Sequence, residues 1–434
     1  MNSKPICQVI HSQLLSGTCP WCQETIVGDQ EEASGEEPRW NIERMAADLR
    51  SPDEEVRADT IGNLLSHSPP LMDAVPLLSQ AIRDPNETLR SMAFSCLEHL
   101  GFEICDEQAA ELEAGDEINE YPLAIRLVLL GYYMMRQFES GTAKQARRRN
   151  LLWLFANEPE IEAGLGPGKQ LLRSQDPAGY EEAKAIWLAH VESNPKSPKT
   201  LANAAEFFVL NDFDLAERFM LEGGKLEPTN PVWRDRLGQL YSLQSMRRAN
   251  SHDAAAAKGL AAYQTAAKLR DTHTNDEDHE VEHLTALMNR LASLGELAKA
   301  ALAAHELEQA RTYAEQLLEV ATGPELSEQR RDDSGSLHTG HTILGRVAIS
   351  IGDLSTAKRH LLASAKIKGA PHLVSFGPSM SLAKELLERN ESQVVLEYFN
   401  LCREFWERGQ VELDLWTAEV NNGQMPDFGP NLNY

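Results

Sequence analysis

The sequence predicts an all-α protein, an α-α superhelix in which helix pairs stack into a solenoid, preceded by a small N-terminal Cys/His zinc module. At 434 residues the chain is long for one compact core, which favours several domains or an elongated repeat array. Hydrophobic residues make up 42% of the chain but aromatic residues only 6%, and many apolar positions are leucine or alanine, which favours helix over sheet. Short residue patterns also recur 33 positions apart, as expected of stacked helix pairs.

Residues 1–27 form a candidate zinc-binding module. Cys7, His11, Cys19 and Cys22 supply four donors, and two cysteines separated by two residues can present both thiolates to a tetrahedral zinc ion from one turn. The pattern resembles a truncated zinc ribbon or zinc knuckle, although three residues separate Cys7 from His11 and the usual second cysteine is absent there. The resemblance implies one structural zinc ion. Two alternatives remain: a redox pair formed by Cys19 and Cys22, or cysteines without a role.

The next segment, residues 28–39, is predicted to be a flexible acidic linker. From Gly28 to Pro38 it contains no aliphatic side chain larger than alanine. Such a segment cannot bury enough apolar surface to offset the entropy lost on ordering. It therefore separates the N-terminal module from the helical part of the chain.

The segment 40–160 contains two matching units. Ser51-Pro-Asp-Glu-Glu-Val-Arg-Ala recurs as Asp84-Pro-Asn-Glu-Thr-Leu-Arg-Ser, and each unit predicts a helix that begins near its proline and reaches Leu64 or Leu100. Gly101 is the candidate residue for ending the second of these helices. The units resemble short HEAT repeats, which are stacked helix pairs. Two broadly apolar stretches, 123–136 and 143–156, are predicted to form a further helix pair.

A second pattern begins near Gly164 and runs through the segment 161–275. An alanine, a large apolar residue and a proline recur at a fixed spacing, as Ala183, Trp187 and Pro195 and then as Ala216, Met220 and Pro228. The small residue lets two helices cross closely, the large one fills the groove a turn later, and proline ends the pair. The following unit, Trp233-Arg-Asp-Arg-Leu-Gly-Gln-Leu-Tyr241, resembles the first helix of a tetratricopeptide repeat, with its tryptophan one residue early. The second helix of this unit is expected after an insertion at 247–258, and its marker residues are Gly259, Tyr263 and Ala266.

Further units of the same type are predicted in the segment 276–434, followed by a capping helix after Trp406. Their marker residues are Ala310, Ala314 and Leu317, then Leu344, Gly345, Ala357 and Leu361, and finally Ala383, Val395 and Phe399. The resemblance to tetratricopeptide-repeat proteins thus covers residues 164–406. It implies a right-handed superhelix with a concave groove that binds a peptide or helix of a partner protein.

Four polar residues are candidates for contacts with a partner inside such a groove. By helical register, Asp235, Gln239, Arg346 and Lys384 are expected on the inward face of the first helices of their units. The alternative is that all four are ordinary exposed side chains.

One motif points to an enzyme instead. His279-Glu-Val-Glu-His283 matches the H-E-x-x-H motif of zinc metallopeptidases, in which two histidines one helical turn apart bind zinc and Glu280 activates a water molecule. The polar run that precedes it and the absence of a further histidine at the expected spacing favour an acidic helix start. A zinc metallopeptidase is therefore retained only as an alternative function.

The charge narrows the class of partner. The chain has 66 Asp and Glu residues against 41 Lys and Arg, a net charge of −25, which would repel a nucleic acid duplex or an anionic membrane.

With no apolar signal stretch at the start and sparse cysteines, a cytoplasmic location is expected. The predicted function is a non-catalytic scaffold or adaptor that binds a protein or peptide. In a second alternative, the zinc module carries the recognition and the solenoid only presents it.

Overall fold

The computed structural model describes residues 41–67, 71–161, 170–247, 252–271, 280–324, 333–368 and 370–432, together with two short strands near the N-terminus. It divides into two compact units, Met1–Arg136 and Gln137–Tyr434. Apart from the strand pair, the regular structure of the described residues is helical, and successive helices pack on one another within each unit. This confirms the all-α prediction for these parts of the chain.

The first unit begins with the strands β1 (Gly17–Thr18) and β2 (Thr25–Ile26), which pair antiparallel with Gly17 opposite Ile26. Its helices are α1 (Ile42–Asp48), α2 (Glu54–His67), α3 (Leu71–Ala81), α4 (Glu87–Glu103), α5 (Asp106–Ala114), α6 (Glu117–Glu120) and α7 (Pro122–Arg136). Helix α4 packs on α2, α3 and α7, so it lies at the centre of this unit.

The two matching sequence units of this part form the same turn at the start of α2 and α4. Arg57 Nη1 donates to the backbone carbonyls of Ser51 (3.0 Å) and Pro52 (3.3 Å), and Arg90 Nη1 donates to that of Asp84 (2.7 Å) and of the proline after it (2.9 Å). Arg57 also makes a two-bond contact with the Asp84 carboxylate, at 2.7 and 3.2 Å. The repeated arginine therefore closes its own turn, and in one case also joins two consecutive units.

The role predicted for Gly101 is wrong, because α4 continues through it to Glu103. A methyl group added at Gly101 would overlap the backbone carbonyl oxygen of Val128 in α7, and one added at Gly131 would overlap that of Glu98 in α4. Each glycine therefore marks the point where α4 and α7 cross with their backbones in contact. The glycine is needed for the space it leaves beside α7, rather than for ending the helix.

The second unit is a longer run of helices. They are α8 (Gly141–Asn157), α9 (Pro177–Ser193), α10 (Pro198–Phe208), α11 (Phe213–Leu226), α12 (Val232–Arg247), α13 (His252–Asp271), α14 (Glu280–Ala303), α15 (Leu307–Ala321), α16 (Ser334–Ser350), α17 (Leu354–Ala365), α18 (Pro371–Phe376), α19 (Ser381–Leu387), α20 (Ser392–Cys402) and α21 (Gln410–Asn421), with 3-10 turns at Glu407–Gly409 and Gly429–Leu432. From α8 to α17 each helix packs on the next.

The helices predicted at 123–136 and 143–156 are present as α7 and α8, which belong to different compact units. Helix α7 packs on α4, whereas α8 packs on α9. Broad apolar faces predicted that both helices are covered, but a sequence pattern does not show which neighbour covers them.

Most of the small and large apolar marker residues of the second pattern are buried, as predicted, whereas Pro195 and Pro228 are exposed and Leu344 is half-buried. Those with at most 3% of their surface exposed are Ala183, Trp187, Ala216, Met220, Tyr263, Ala266, Ala310, Ala314, Leu317, Ala357, Leu361, Ala383, Val395 and Phe399. One boundary differs from the prediction: α13 begins at His252 and already contains Lys258, so most of the insertion expected at 247–258 belongs to the helix.

Acidic residues begin several helices and also join them to earlier ones. The Asp176 carboxylate caps α9 and accepts two bonds from Arg148 of α8, at 3.0 and 2.5 Å. The Asp212 carboxylate caps α11 and accepts a bond from Lys184 of α9, at 3.0 Å. In both cases the cation and the aspartate are 28 residues apart, so the same link recurs from one repeat to the next.

Helix α21 packs on α20 near the C-terminal end of the second unit. Trp416 of α21 packs between Trp406 (ring centroids 5.8 Å apart) and Phe428 (5.0 Å) and also contacts Phe399 of α20 (6.1 Å). All four aromatic side chains are buried. Burial of this cluster removes a large apolar surface from water.

Candidate functional site

A groove with a volume of about 1110 Å³ lies in the second unit, bounded by α13, α14, α15 and the turn that precedes α12. This volume is above the range of about 300–1,000 Å³ that is usual for small-ligand pockets, which favours a larger occupant such as a peptide segment. Its polar lining includes Gln264, Lys268, Arg270, Asn289, Arg290 and Gln316.

The base of the groove is apolar. Leu287 and Leu294 of α14 line it and belong to a buried cluster with Leu317, against which Tyr313 of α15 packs. Leu297, a turn further along α14, also lines the groove and belongs to the next cluster. An occupant would therefore meet aliphatic side chains below and polar side chains at the edges.

The edges of the groove carry positive charge. Lys268 of α13 and Arg290 of α14 are exposed and line it from two helices. Neither of them has an ion-pair partner among the residues that the structure describes. Asp271 is an anion in the lining, so the charges of the described lining residues sum to a positive value in a chain whose net charge is −25.

A third cation, Arg270, connects the groove to one of the residues predicted for partner binding. Its Nη2 forms an ion pair with the carboxylate of Asp235 of α12, and its Nη1 donates to Ser293 Oγ of α14 at 3.4 Å. Burial raises the pKa of Asp235 although the Arg270 guanidinium opposes that shift. Asp235 thus holds Arg270 at the edge of the groove and does not itself line it.

The other three predicted contact residues lie away from this groove. Gln239 is exposed one turn after Asp235 on α12. Arg346 of α16 forms an ion pair with Glu385 of α19 at 2.7 Å, and Lys384 is the half-buried neighbour of that glutamate. The structure therefore does not bring the four residues together into one site.

The two metal motifs of the sequence fall largely outside the described residues. Cys7, His11, Cys19 and Cys22 all lie outside them, and so does His279 of the H-E-x-x-H motif. Helix α14 begins at Glu280, so the second residue of that motif stands at a helix start. Among the described residues, no group of three or more His, Cys, Asp or Glu side chains is arranged to hold a metal ion.

A cluster of histidines lies between α16 and α17, outside the groove. The Nδ1 atom of His338 lies 3.0 Å from the backbone carbonyl of Ser364, and the backbone N–H of Ser379 donates to Nε2 of His338 at 2.9 Å. The Nδ1 atoms of His341 and His360 are 3.0 Å apart. Burial lowers the pKa of both His338 and His341 to about 4.

Sequence reasoning missed the residues that give the groove its charge. Lys268, Arg270 and Arg290 belong to two different helices and match no motif. The available signal was two cations near the end of one helix and a third in the next helix of a strongly acidic chain. That signal does not show which cations face a shared space.

Comparison with known proteins adds no family assignment: no protein-family model matches the chain, and no curated protein matches it. Among the described residues, no helix is both long and apolar enough to cross a bilayer.

Proposed function

We propose that this chain is a non-catalytic scaffold of HEAT-like and tetratricopeptide-like repeats that binds a peptide or helix of a partner protein. The observation that carries the proposal is the groove between α13, α14 and α15, with its apolar base and polar edges. Stacked helix pairs that bury their markers against neighbours leave such surfaces for partners. An aliphatic base with polar edges suits an amphipathic segment.

The groove can be filled without disturbing the core. Ala286 of α14 is exposed and lines it, whereas Ala261 of α13 is exposed and does not. Tryptophan at position 286 would occupy the space of a bound segment, and tryptophan at position 261 is a matched control for the change in size and hydrophobicity.

The test is affinity capture of partners from the source cells with the full chain, followed by calorimetric titration of each captured protein. We expect a partner to bind the wild-type chain and Ala261→Trp with equal affinity and to lose at least tenfold in affinity for Ala286→Trp. A partner that binds Ala286→Trp as tightly as wild type would show that the groove is not the binding surface.

A second proposal concerns the N-terminal module, where we infer one structural zinc ion held by Cys7, His11, Cys19 and Cys22. It is supported by the pairing of β1 with β2, because the six residues that join these strands include Cys19 and Cys22. Two cysteines separated by two residues are typical of a zinc knuckle. When bound, zinc would hold together a segment too short to have its own core.

Zinc content measured on the full chain, purified without chelator, tests this second proposal. We expect about one zinc ion per chain in the wild type and in Cys105→Ser, which changes an exposed cysteine elsewhere. The Cys19→Ser/Cys22→Ser variant should contain none. A wild-type chain without zinc, or a double variant that keeps it, would contradict the proposal.

A further inference from the structure

The lining of the groove also indicates what kind of segment it selects. We propose that the groove recognises an acidic segment with an aliphatic or aromatic anchor, which places carboxylates against Lys268 and Arg290 and its anchor on the leucines of α14. This inference rests on the proposed function, since it specifies the partner of the same groove.

The first argument is charge. Among the described residues, the lining contains the cations Lys268, Arg270 and Arg290 and the single anion Asp271, and Asp235 already neutralises Arg270 from behind. Lys268 and Arg290 approach the space from α13 and α14, so a segment lying between these helices would meet a cation on each side. A carboxylate is the group that a guanidinium binds with two parallel hydrogen bonds.

The second argument is the contrast with the rest of the chain. A net charge of −25 disfavours the approach of an acidic peptide to the surface at large. A small positive site within that negative field therefore favours binding at that position, because an acidic segment is repelled by the net charge of the chain and attracted by the cations of the groove. Basic segments have the opposite preference and would spread over the acidic surface.

The third argument is the position of the apolar base. Leu287 and Leu294 lie on the same helix as Arg290, on either side of it in the chain. A segment that places an aliphatic or aromatic anchor on these leucines thus brings its neighbouring residues to the guanidinium. Anchor and carboxylate should be close together in the partner.

Two polar side chains of the groove, Gln264 and Arg270, are held in place by hydrogen bonds and an ion pair. Gln264 Nε2 donates to Gln309 Oε1 at 2.7 Å and to the Tyr313 hydroxyl at 3.3 Å, while Arg270 is fixed by Asp235. An occupant would therefore find part of the groove already ordered, which lowers the entropic cost of binding.

An unbiased selection tests the inference. Random 16-residue peptides displayed on phage are selected against the immobilised full chain, and the enriched peptides are synthesised. We expect peptides rich in Asp and Glu next to Leu, Ile, Phe or Met, and we expect replacement of their acidic residues by Gln or Asn to weaken binding at least tenfold. Binding should also weaken as salt is raised.

Charge-reversal variants of the chain give the matched comparison. Lys268→Glu/Arg290→Glu should weaken the selected peptide at least tenfold. Lys196→Glu/Lys368→Glu makes the same change in net charge at exposed positions outside the groove and should bind like the wild type. Circular dichroism checks that each variant is folded, and Lys268→Gln/Arg290→Gln replaces the reversal if that variant unfolds.

The failures of the two proposals are distinguishable. No enriched peptide, enriched peptides that are neutral or basic, or affinity for Lys268→Glu/Arg290→Glu within twofold of wild type would overturn the acidic preference. Suppose that the peptide bound Lys268→Glu/Arg290→Glu as tightly as wild type but no longer bound Ala286→Trp. The groove would then remain the binding surface, and only the acidic preference would be wrong. Peptides that bind Ala286→Trp unchanged would instead overturn the groove.

Discussion

His338 is a fully buried histidine whose two ring nitrogens each have a backbone partner. Because the Ser379 N–H must donate to Nε2, that nitrogen carries no proton, and the neutral ring donates from Nδ1 to the carbonyl of Ser364. Protonation of Nε2 would break the first bond and place a charge in the core. The other charged or titratable groups that act on this ring are Lys299, His341 and His372, none of which is a carboxylate.

These contacts predict that acid destabilises the second unit. The pKa of His338 is about 4 in the folded protein against an ordinary value of 6.5, so the unfolded chain takes up the proton first as the pH falls. The free energy of unfolding contributed by this group is fully present above pH 6.5 and decreases between pH 6.5 and 4, by about 3 kcal/mol at most. Urea unfolding measured at steps between pH 7.5 and 4 gives the change in the free energy of unfolding with pH.

His338→Gln separates this effect from general acid sensitivity. The variant should be less stable at pH 7.5 by about 2 kcal/mol, since it loses at least one buried hydrogen bond, and its stability should depend less steeply on pH. His99→Gln, at an exposed histidine, is the control and should keep the wild-type slope. An unchanged slope in His338→Gln would contradict the assignment.

The sequence could not show this role of His338. Its hydrogen-bond partners lie 26 and 41 residues further along the chain, and no local pattern connects them. The same limit applies to Lys268 and Arg290, which come together only because α13 and α14 pack on each other. Helical register predicted the face of α12 on which Asp235 lies, but it could not show that Asp235 pairs with Arg270 of α13.

At the scale of elements, the buried pair Arg57–Asp84 connects the start of α2 to the turn before α4. The two side chains are only 10% and 6% exposed. Burial alone would raise the pKa of Asp84, but hydrogen bonds from Arg57 and from the backbone of Asn86 outweigh it and hold this pKa below its usual value. The carboxylate is therefore charged and fully engaged in the folded unit.

Removing that charge should destabilise the first unit. We expect Asp84→Asn to lower the melting temperature by about 5 °C or more, because a buried guanidinium loses its counter-ion. The exposed pair Arg44–Asp48 provides the control, and Asp48→Asn should change the melting temperature by about 1–2 °C at most. Equal effects of the two variants, measured by calorimetry, would show that the buried pair adds nothing specific.

The crossing of α4 and α7 gives a second prediction at this scale. Gly101→Ala must push the two backbones apart and should cost about 2–4 kcal/mol. Gly62 of α2 has open space around it, so Gly62→Ala should be neutral or stabilising by up to about 1 kcal/mol. Chemical denaturation gives the free energy of unfolding of both variants. If both variants lost similar stability, α4 and α7 would be able to move apart at little cost.

The sequence predicted the helices and their buried faces better than it predicted individual side-chain contacts. Recurring small and large residues predicted helices and their buried faces, because close crossing and groove filling depend on size alone. The start of α13 was misplaced, since a polar and alanine-rich stretch near Arg247 looked like an insertion and proved mainly helical. Gly101 was misread because a glycine at a helix end and a glycine at a crossing look the same in one sequence.

At the scale of the whole molecule, the second unit contains its own apolar clusters, from Leu260 to the aromatic cap around Trp416. We expect a fragment of residues 137–434 to fold without the first unit, because a repeat array is stabilised by contacts between neighbours. Far-UV circular dichroism should show a helical spectrum and one cooperative thermal transition. A fragment that lacks such a transition would show that the unit depends on residues 1–136.

The link between a cation and the aspartate that starts a later helix has a consequence for how such a chain lengthens or shortens over evolution. Arg148 and Lys184 each find their aspartate 28 residues on, and that aspartate is the residue immediately before a helix. A genetic deletion of residues 177–212 would join Asp176 directly to Phe213, so α11 would inherit both a capping aspartate and the arginine bound to it. Gain or loss of a complete 36-residue module can thus preserve the 28-residue spacing between cation and aspartate, whereas a deletion of another length within this stretch would change that spacing.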